Sequence, residues 1–152
     1  MIRIARAYLD SSALFSGLWS AEGGARMILK LGEAEAVQIM ISSQVLTEVE
    51  GVLRKKAPGT LGALALILER SNAQILPNPS KELIKACEKL VDHPGDARVL
   101  ASVWDVEIDF FVTLDRKHFI ENQALKKGAP FLIGTRGDFL DWFRGRLTRT
   151  VS

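Results

Sequence analysis

Five short apolar runs alternate with helix-periodic stretches along this chain, and that alternation limits the fold more than any other feature of the sequence. The runs end at Tyr8-Leu9 and then cover 37–41, 74–76, 110–114 and 131–133. Each is short, and most are rich in β-branched, leucine or aromatic residues, as buried strands are. Helical patterns lie between them. Residues 21–31 form one, with Ser20 as its N-cap and Gly32 just past its end. A second opens at Ser42-Ser43 and carries Val45, Leu46, Val49, Val52 and Leu53, ending in the cations Arg54-Lys55-Lys56 that suit a helix C-terminus. Others cover 61–68, the stretch capped by Ser80 that carries Cys87, the stretch opened by Pro94-Gly95-Asp96, and 124–127. Thr135-x-x-Asp138 resembles a capping box, with Asp in place of the usual Glu or Gln, ahead of Phe139, Leu140, Trp142 and Phe143. Strand-helix alternation of this kind gives an α/β fold, three layers deep, with a mostly parallel sheet covered on both faces.

At 152 residues, with no repeat and no linker, the expectation is one domain over 1–152. A net charge of +2 suggests a polyanionic partner only weakly. The single cysteine rules out an internal disulfide and a cysteine-rich metal centre, and Cys87 falls on an apolar stripe, as a core thiol does. No apolar run reaches the roughly 18 residues that span a bilayer. The first residues lack the pattern of a signal peptide, so the expected location is the cytoplasm.

The chemistry is carried by acids. Asp10 directly follows the first strand, and Ser11 or Ser12 can cap the helix that comes next. Asp115 directly follows the fourth strand. In a parallel sheet all carboxyl ends lie on one edge, where ligands bind, so the two acids are neighbours if their strands are. Asp96 sits in a first helical turn, with Leu100, Val103 and Trp104 on its side of the helix, and so points along the buried face. On the preceding helix either Glu48 or Glu50 flanks the apolar stripe, and a helical wheel does not choose between them. Converging carboxylates resist joint ionisation. A hard divalent cation resolves that, and Mg²⁺ or Mn²⁺ with oxygen ligands is the expected cofactor. Zinc is not indicated, because His93 and His118 are the only histidines and both read as surface or loop residues without a partner at ligand spacing.

These segments resemble the PIN-domain ribonucleases, the family that includes VapC-type toxins. Residues Leu9-Asp10-Ser11-Ser12-Ala13-Leu14 resemble its opening strand and first acid, and Ser42-Ser43-Gln44-Val45-Leu46-Thr47-Glu48-Val49 its second-acid helix, which selects Glu48 over Glu50. Asp96-Ala97-Arg98-Val99-Leu100-Ala101 resembles the third-acid helix, and Val112-Thr113-Leu114-Asp115-Arg116-Lys117-His118-Phe119 the Thr-x-Asp strand end followed by Phe. Residues 51–62 and 134–138 depart from the usual toxin pattern. The resemblance implies a metal-dependent endonuclease for single-stranded RNA, with Asp10, Glu48, Asp96 and Asp115 holding Mg²⁺ or Mn²⁺. It places the hydroxyls of Ser12 and Thr113 beside that site, and it implies an antitoxin partner and a homodimer. Arg54-Lys55-Lys56, Arg116-Lys117, Lys126-Lys127, Arg144, Arg146 and Arg149 are available to phosphates, none being singled out.

Two other readings compete. An aspartyl-phosphate phosphatase would use Asp10 as a nucleophile, but such enzymes commonly need a second Asp two residues on, where this chain has Ser12. A non-catalytic RNA-binding or scaffold domain is the other, although all four acids are present.

Overall fold

The computed structural model describes residues 3–151, with the side chains of 150 and 151 left aside. Its strands are β1 (Ala5–Leu9), β2 (Val37–Ser42), β3 (Gln74–Leu76), β4 (Phe110–Val112) and β5 (Leu132–Gly134). Its helices are α1 (Ser11–Trp19), α2 (Gly24–Glu33), α3 (Ser43–Lys56), α4 (Leu61–Arg70), α5 (Lys81–Cys87), α6 (Pro94–Trp104), α7 (Gln123–Gly128) and α8 (Arg136–Val151). A 3₁₀ turn covers Pro58–Thr60 and a π-turn Arg116–Ile120.

The five strands form one sheet in the order β3-β2-β1-β4-β5, and every neighbouring pair is parallel. The expected three-layer α/β/α architecture is therefore present. Alternation of side chains along the strands explains how the two faces are covered. Ala7, Ile39 and Phe110 stand in register on one face, where Phe110 packs edge-to-face on Phe139 and against Trp142 of α8. Tyr8, Met40 and Phe111 share the other, where Phe111 stacks on Phe131 and lies against Phe119. Both sets are buried, as a sheet covered on two sides requires.

β1 is the pivot. The chain first moves from β1 to β2 and β3, then crosses to the other side of β1 for β4 and β5. In open α/β sheets such a reversal leaves a crevice at the carboxyl ends of the two central strands. Here those strands are β1, which ends at Leu9, and β4, which ends at Val112.

Several boundaries differ from the sequence expectation. Asp10 itself caps α1, its side chain accepting from the Ala13 amide, so neither Ser11 nor Ser12 does so. Ser20 caps no helix start. Its amide donates to Ser16 O and closes α1, while α2 begins four residues later, at Gly24 behind Gly23. Gly32 lies inside α2 because the helix passes so close to β2 that a Cβ there would meet Ile39 Cγ1 and Ser71 O, each at 2.7 Å. The fourth strand stops at Val112 rather than 114: Thr113 N still donates to Gly134 O, but side-chain hydroxyls take the two amides after it, Ser12 Oγ accepting from Leu114 N and Thr113 Oγ1 from Asp115 N, each at 3.0 Å. The capping box is present in both directions, with Thr135 N donating to Asp138 Oδ2 at 2.9 Å and Asp138 N to Thr135 Oγ1 at 3.1 Å. Cys87 is buried, and burial pushes its thiol pKa up. Among the described residues no helix is long and apolar enough to cross a membrane.

Candidate active site

The reversal point is built by β1 and β4. The Asp10 amide donates to Val112 O at 3.2 Å, tying the end of one strand to the other. Asp10 is 6% exposed, and its carboxylate accepts three hydrogen bonds. Ser12 Oγ and Ala13 N donate to Oδ1 at 2.6 and 3.0 Å, and Thr113 Oγ1 donates to Oδ2 at 2.5 Å. The hydroxyls of Ser12 and Thr113 thus hold the first acid, while each also accepts a backbone amide from the segment after β4, that of Leu114 or of Asp115 itself.

Asp115 lies past β4 and caps the π-turn. His118 N donates to its Oδ1 at 3.0 Å, and His118 Nδ1 lies 2.8 Å from Oδ2. His118 is accordingly no detached loop residue: the π-turn folds it back onto the acid three positions earlier, and its ring meets His93 edge-to-face at 4.6 Å between centroids. His93 is exposed, at the start of α6.

Asp96 stands in the first turn of α6, where a carboxylate also complements the helix dipole. Its Oδ2 is buried and makes no hydrogen bond. Glu48 lies on α3 and its Oε1 accepts from Ser11 Oγ at 3.4 Å. Glu50 faces elsewhere and approaches Arg54 at 3.7 Å, so the two glutamates that the helical wheel left open are separated by the fold.

Asp10, Glu48, Asp96 and Asp115 line one cleft of about 280 Å³, together with Ser12 and Gln44. Four elements deliver them: the end of β1, the middle of α3, the start of α6 and the segment after β4. Their electrostatics bear the mark of convergence. Burial pushes the Asp10 carboxyl above its ordinary range, against the hydrogen bonds from Ser12, Thr113 and Ala13, and the Asp115 charge adds to the rise. Burial also raises Asp96, with His118 opposing and Asp115 adding.

As placed, the carboxylates share a cleft without closing on a common point: no three His, Cys, Asp or Glu side chains among the described residues are grouped closely enough to hold a metal ion together. Asp10 and Asp115 are turned to their own hydroxyl, amide and imidazole partners, as mutually repelling charges would be. The donors are nonetheless all oxygens, and Asp96 Oδ2 is a buried acceptor with nothing to accept from. That set fits a hard divalent cation and gives no zinc-type nitrogen and sulfur set.

The sequence did not single out Gln44, which lines the cleft one turn before Glu48, or His118. Gln44 was legible only as a helix-edge polar residue, and the His118 contact depends on a π-turn that no local pattern announces.

A family model described as PIN domain matches residues 6–117. No curated protein matches the sequence. Among solved structures, the chain is similar to one in the crystal structure of VapBC2 from Rickettsia felis bound to a DNA fragment from their promoter, with a TM-score of 0.63 and 19% identity over 86% of this chain and 98% of that one. It is also similar to PAE2754 from Pyrobaculum aerophilum, with a TM-score of 0.59 and 16% identity over 93% of this chain and 90% of that one.

Proposed function

The chain belongs to the PIN-domain family, and from that membership we propose that it is a metal-dependent endoribonuclease cutting single-stranded RNA, its 152 residues acting as one nuclease domain. The observation that carries the proposal is the cleft itself: four acids far apart in sequence line one cavity at the reversal point of a parallel sheet. Asp10, Glu48, Asp96 and Asp115 would hold Mg²⁺ or Mn²⁺. When bound, such an ion would lower the pKa of a water and neutralise charge on a phosphodiester. The chain's own residues prepare that state. Ser12 and Thr113 hold the Asp10 carboxylate at the cleft, and His118 holds that of Asp115, and a bound cation would draw both acids from these partners toward a common point. The unpartnered Asp96 oxygen leaves a vacant acceptor inside the cleft.

The test is cleavage of a labelled single-stranded RNA by metal-stripped protein, with Mn²⁺ or Mg²⁺ and with excess chelator. Cutting in the presence of either ion and none in chelator is expected; unchanged cutting in excess chelator would contradict the proposal. The proposal has a narrower form, in which the protein is a cytoplasmic, homodimeric toxin neutralised by a protein antitoxin. The likeness in fold to a chain of the VapBC2 structure supports the antitoxin part of it. Expression of this chain alone should then arrest growth, and the product of an adjoining reading frame should relieve the arrest. Normal growth under expression of an active nuclease would remove the toxin part and leave the enzyme.

A further inference from the structure

The cleft continues beyond its acids. Gln44 and Glu48, one turn apart on α3, form part of its wall and also part of the wall of a larger groove of about 780 Å³. Further along, that groove is lined by Asn78 between β3 and α5, by Lys81 at the start of α5 and by Arg98 on α6. Lys81 and Arg98 are exposed. Among the described residues neither side chain takes part in an ion pair, whereas Arg54, Arg144 and Arg146 of the basic stretches near α3 and α8 each meet an acid. At the junction of cleft and groove, Gln44 Nε2 donates to Gly95 O at 3.3 Å, while its Oε1 is buried without a donor. The arrangement is an acid cleft suited to a cation, then a vacant acceptor, then two unpaired cations.

A ligand that satisfies this sequence of sites carries more than one negative charge and offers a hydrogen-bond donor near them. We propose that the groove bounded by α3, α5 and α6 holds the stretch of single-stranded RNA adjoining the scissile phosphate, with Lys81 and Arg98 on successive backbone phosphates and Gln44 Oε1 accepting from a nucleotide donor at the junction. The inference rests on the nuclease reading, and it adds the side on which the substrate is gripped.

Counterion release gives the test. For single strands, log K falls with log salt by about 0.7 per neutralised phosphate. Binding of a labelled single-stranded RNA is measured by fluorescence anisotropy in Ca²⁺ over a range of salt, with cleavage in Mn²⁺ run in parallel. The Lys81→Gln/Arg98→Gln variant should lose roughly 1.4 from the slope, at about 0.7 per contact, and show a raised KM in cleavage. Lys30→Gln/Lys89→Gln makes the same change of net charge at exposed residues that line neither cleft nor groove, and it should keep the wild-type slope. Equal slopes for the two double variants, both folded by thermal melting, would overturn the groove assignment, as would wild-type protein that binds no RNA. Wild type that binds with the expected slopes yet never cuts would overturn the nuclease reading and leave the groove standing.

Discussion

Asp10 does two jobs with one carboxylate, and its neighbours show how a site can grow out of a helix cap. The same oxygen that accepts the Ala13 amide at the start of α1 also accepts the Ser12 hydroxyl, and the other accepts Thr113. A cap alone is worth ~0.5–2 kcal/mol and needs no second strand. The bond to Thr113 exists only because β4 lies beside β1, so it belongs to the cleft. Burial raises the folded-state pKa of both Asp10 and Asp96. An acid raised on folding holds its proton more tightly when folded, so its contribution to stability is fully present below its unfolded pKa and is lost as pH rises through the folded value. Metal-free protein should therefore lose stability as pH climbs from the ordinary carboxylate range through those raised values, and Asp96→Asn should flatten that decline. At neutral pH in chelator the variant should be at least as stable as wild type, the opposing loss of the dipole interaction being only ~0.3–1 kcal/mol, while cleavage in Mn²⁺ collapses. Denaturation across pH and an RNA assay read both; a destabilised variant that still cuts would make Asp96 structural. Asp10, Asp96 and Asp115 were legible as acids at strand ends and a helix start, because local pattern marks such places. Choosing Glu48 over Glu50 needed the resemblance, and His118 needed the π-turn.

Elements were legible where one face decides them and blurred where tertiary contacts do. The run through Val45, Val49 and Leu53 is buried as its spacing requires. The end of β4 was misjudged because Ser12, from another element, captures the Leu114 amide, a contact invisible to any window along the chain. Two helical glycines separate propensity from packing. In α3, a Cβ on Gly51 meets nothing within 4 Å, so Gly51→Ala should stabilise the protein by up to about 1 kcal/mol, the helix-propensity difference. In α2, Gly32→Ala gains the same propensity but drives a methyl to 2.7 Å from Ser71 O, a backbone atom that cannot step aside. Overpacking of ~1–3 kcal/mol should then prevail and destabilise. Chemical denaturation of the two variants checks both signs; stabilisation by Gly32→Ala would mean that α2 can move away from β2 and α4.

At the scale of the whole molecule, alternation of strands and helices in the sequence implied a parallel sheet, and the sheet is parallel throughout. The strand order was not legible, because pairing of β1 with β4 joins segments from opposite ends of the chain and no local signal encodes it. Yet that pairing brings the strand ends that carry Asp10 and Asp115 together, at the cleft that Glu48 and Asp96 also line. We propose that Asp10, Glu48, Asp96 and Asp115 together form one cation site. A cation bound only by the folded state stabilises it by about 2.7 kcal/mol at a hundredfold excess over Kd. For a chain of this size that is roughly 5–11 °C in melting temperature, at about 2–4 °C per kcal/mol. The most direct measurement is the melting shift caused by Mn²⁺ in wild type, in Asp10→Asn, Glu48→Gln, Asp96→Asn and Asp115→Asn, and in Glu50→Gln as the acid outside the cleft. The four cleft variants should each show a clearly smaller shift than wild type, and Glu50→Gln should keep the full one. A wild-type shift retained in any of the four would remove that residue from the site, and one retained in all of them would show that the cleft is not where the cation binds.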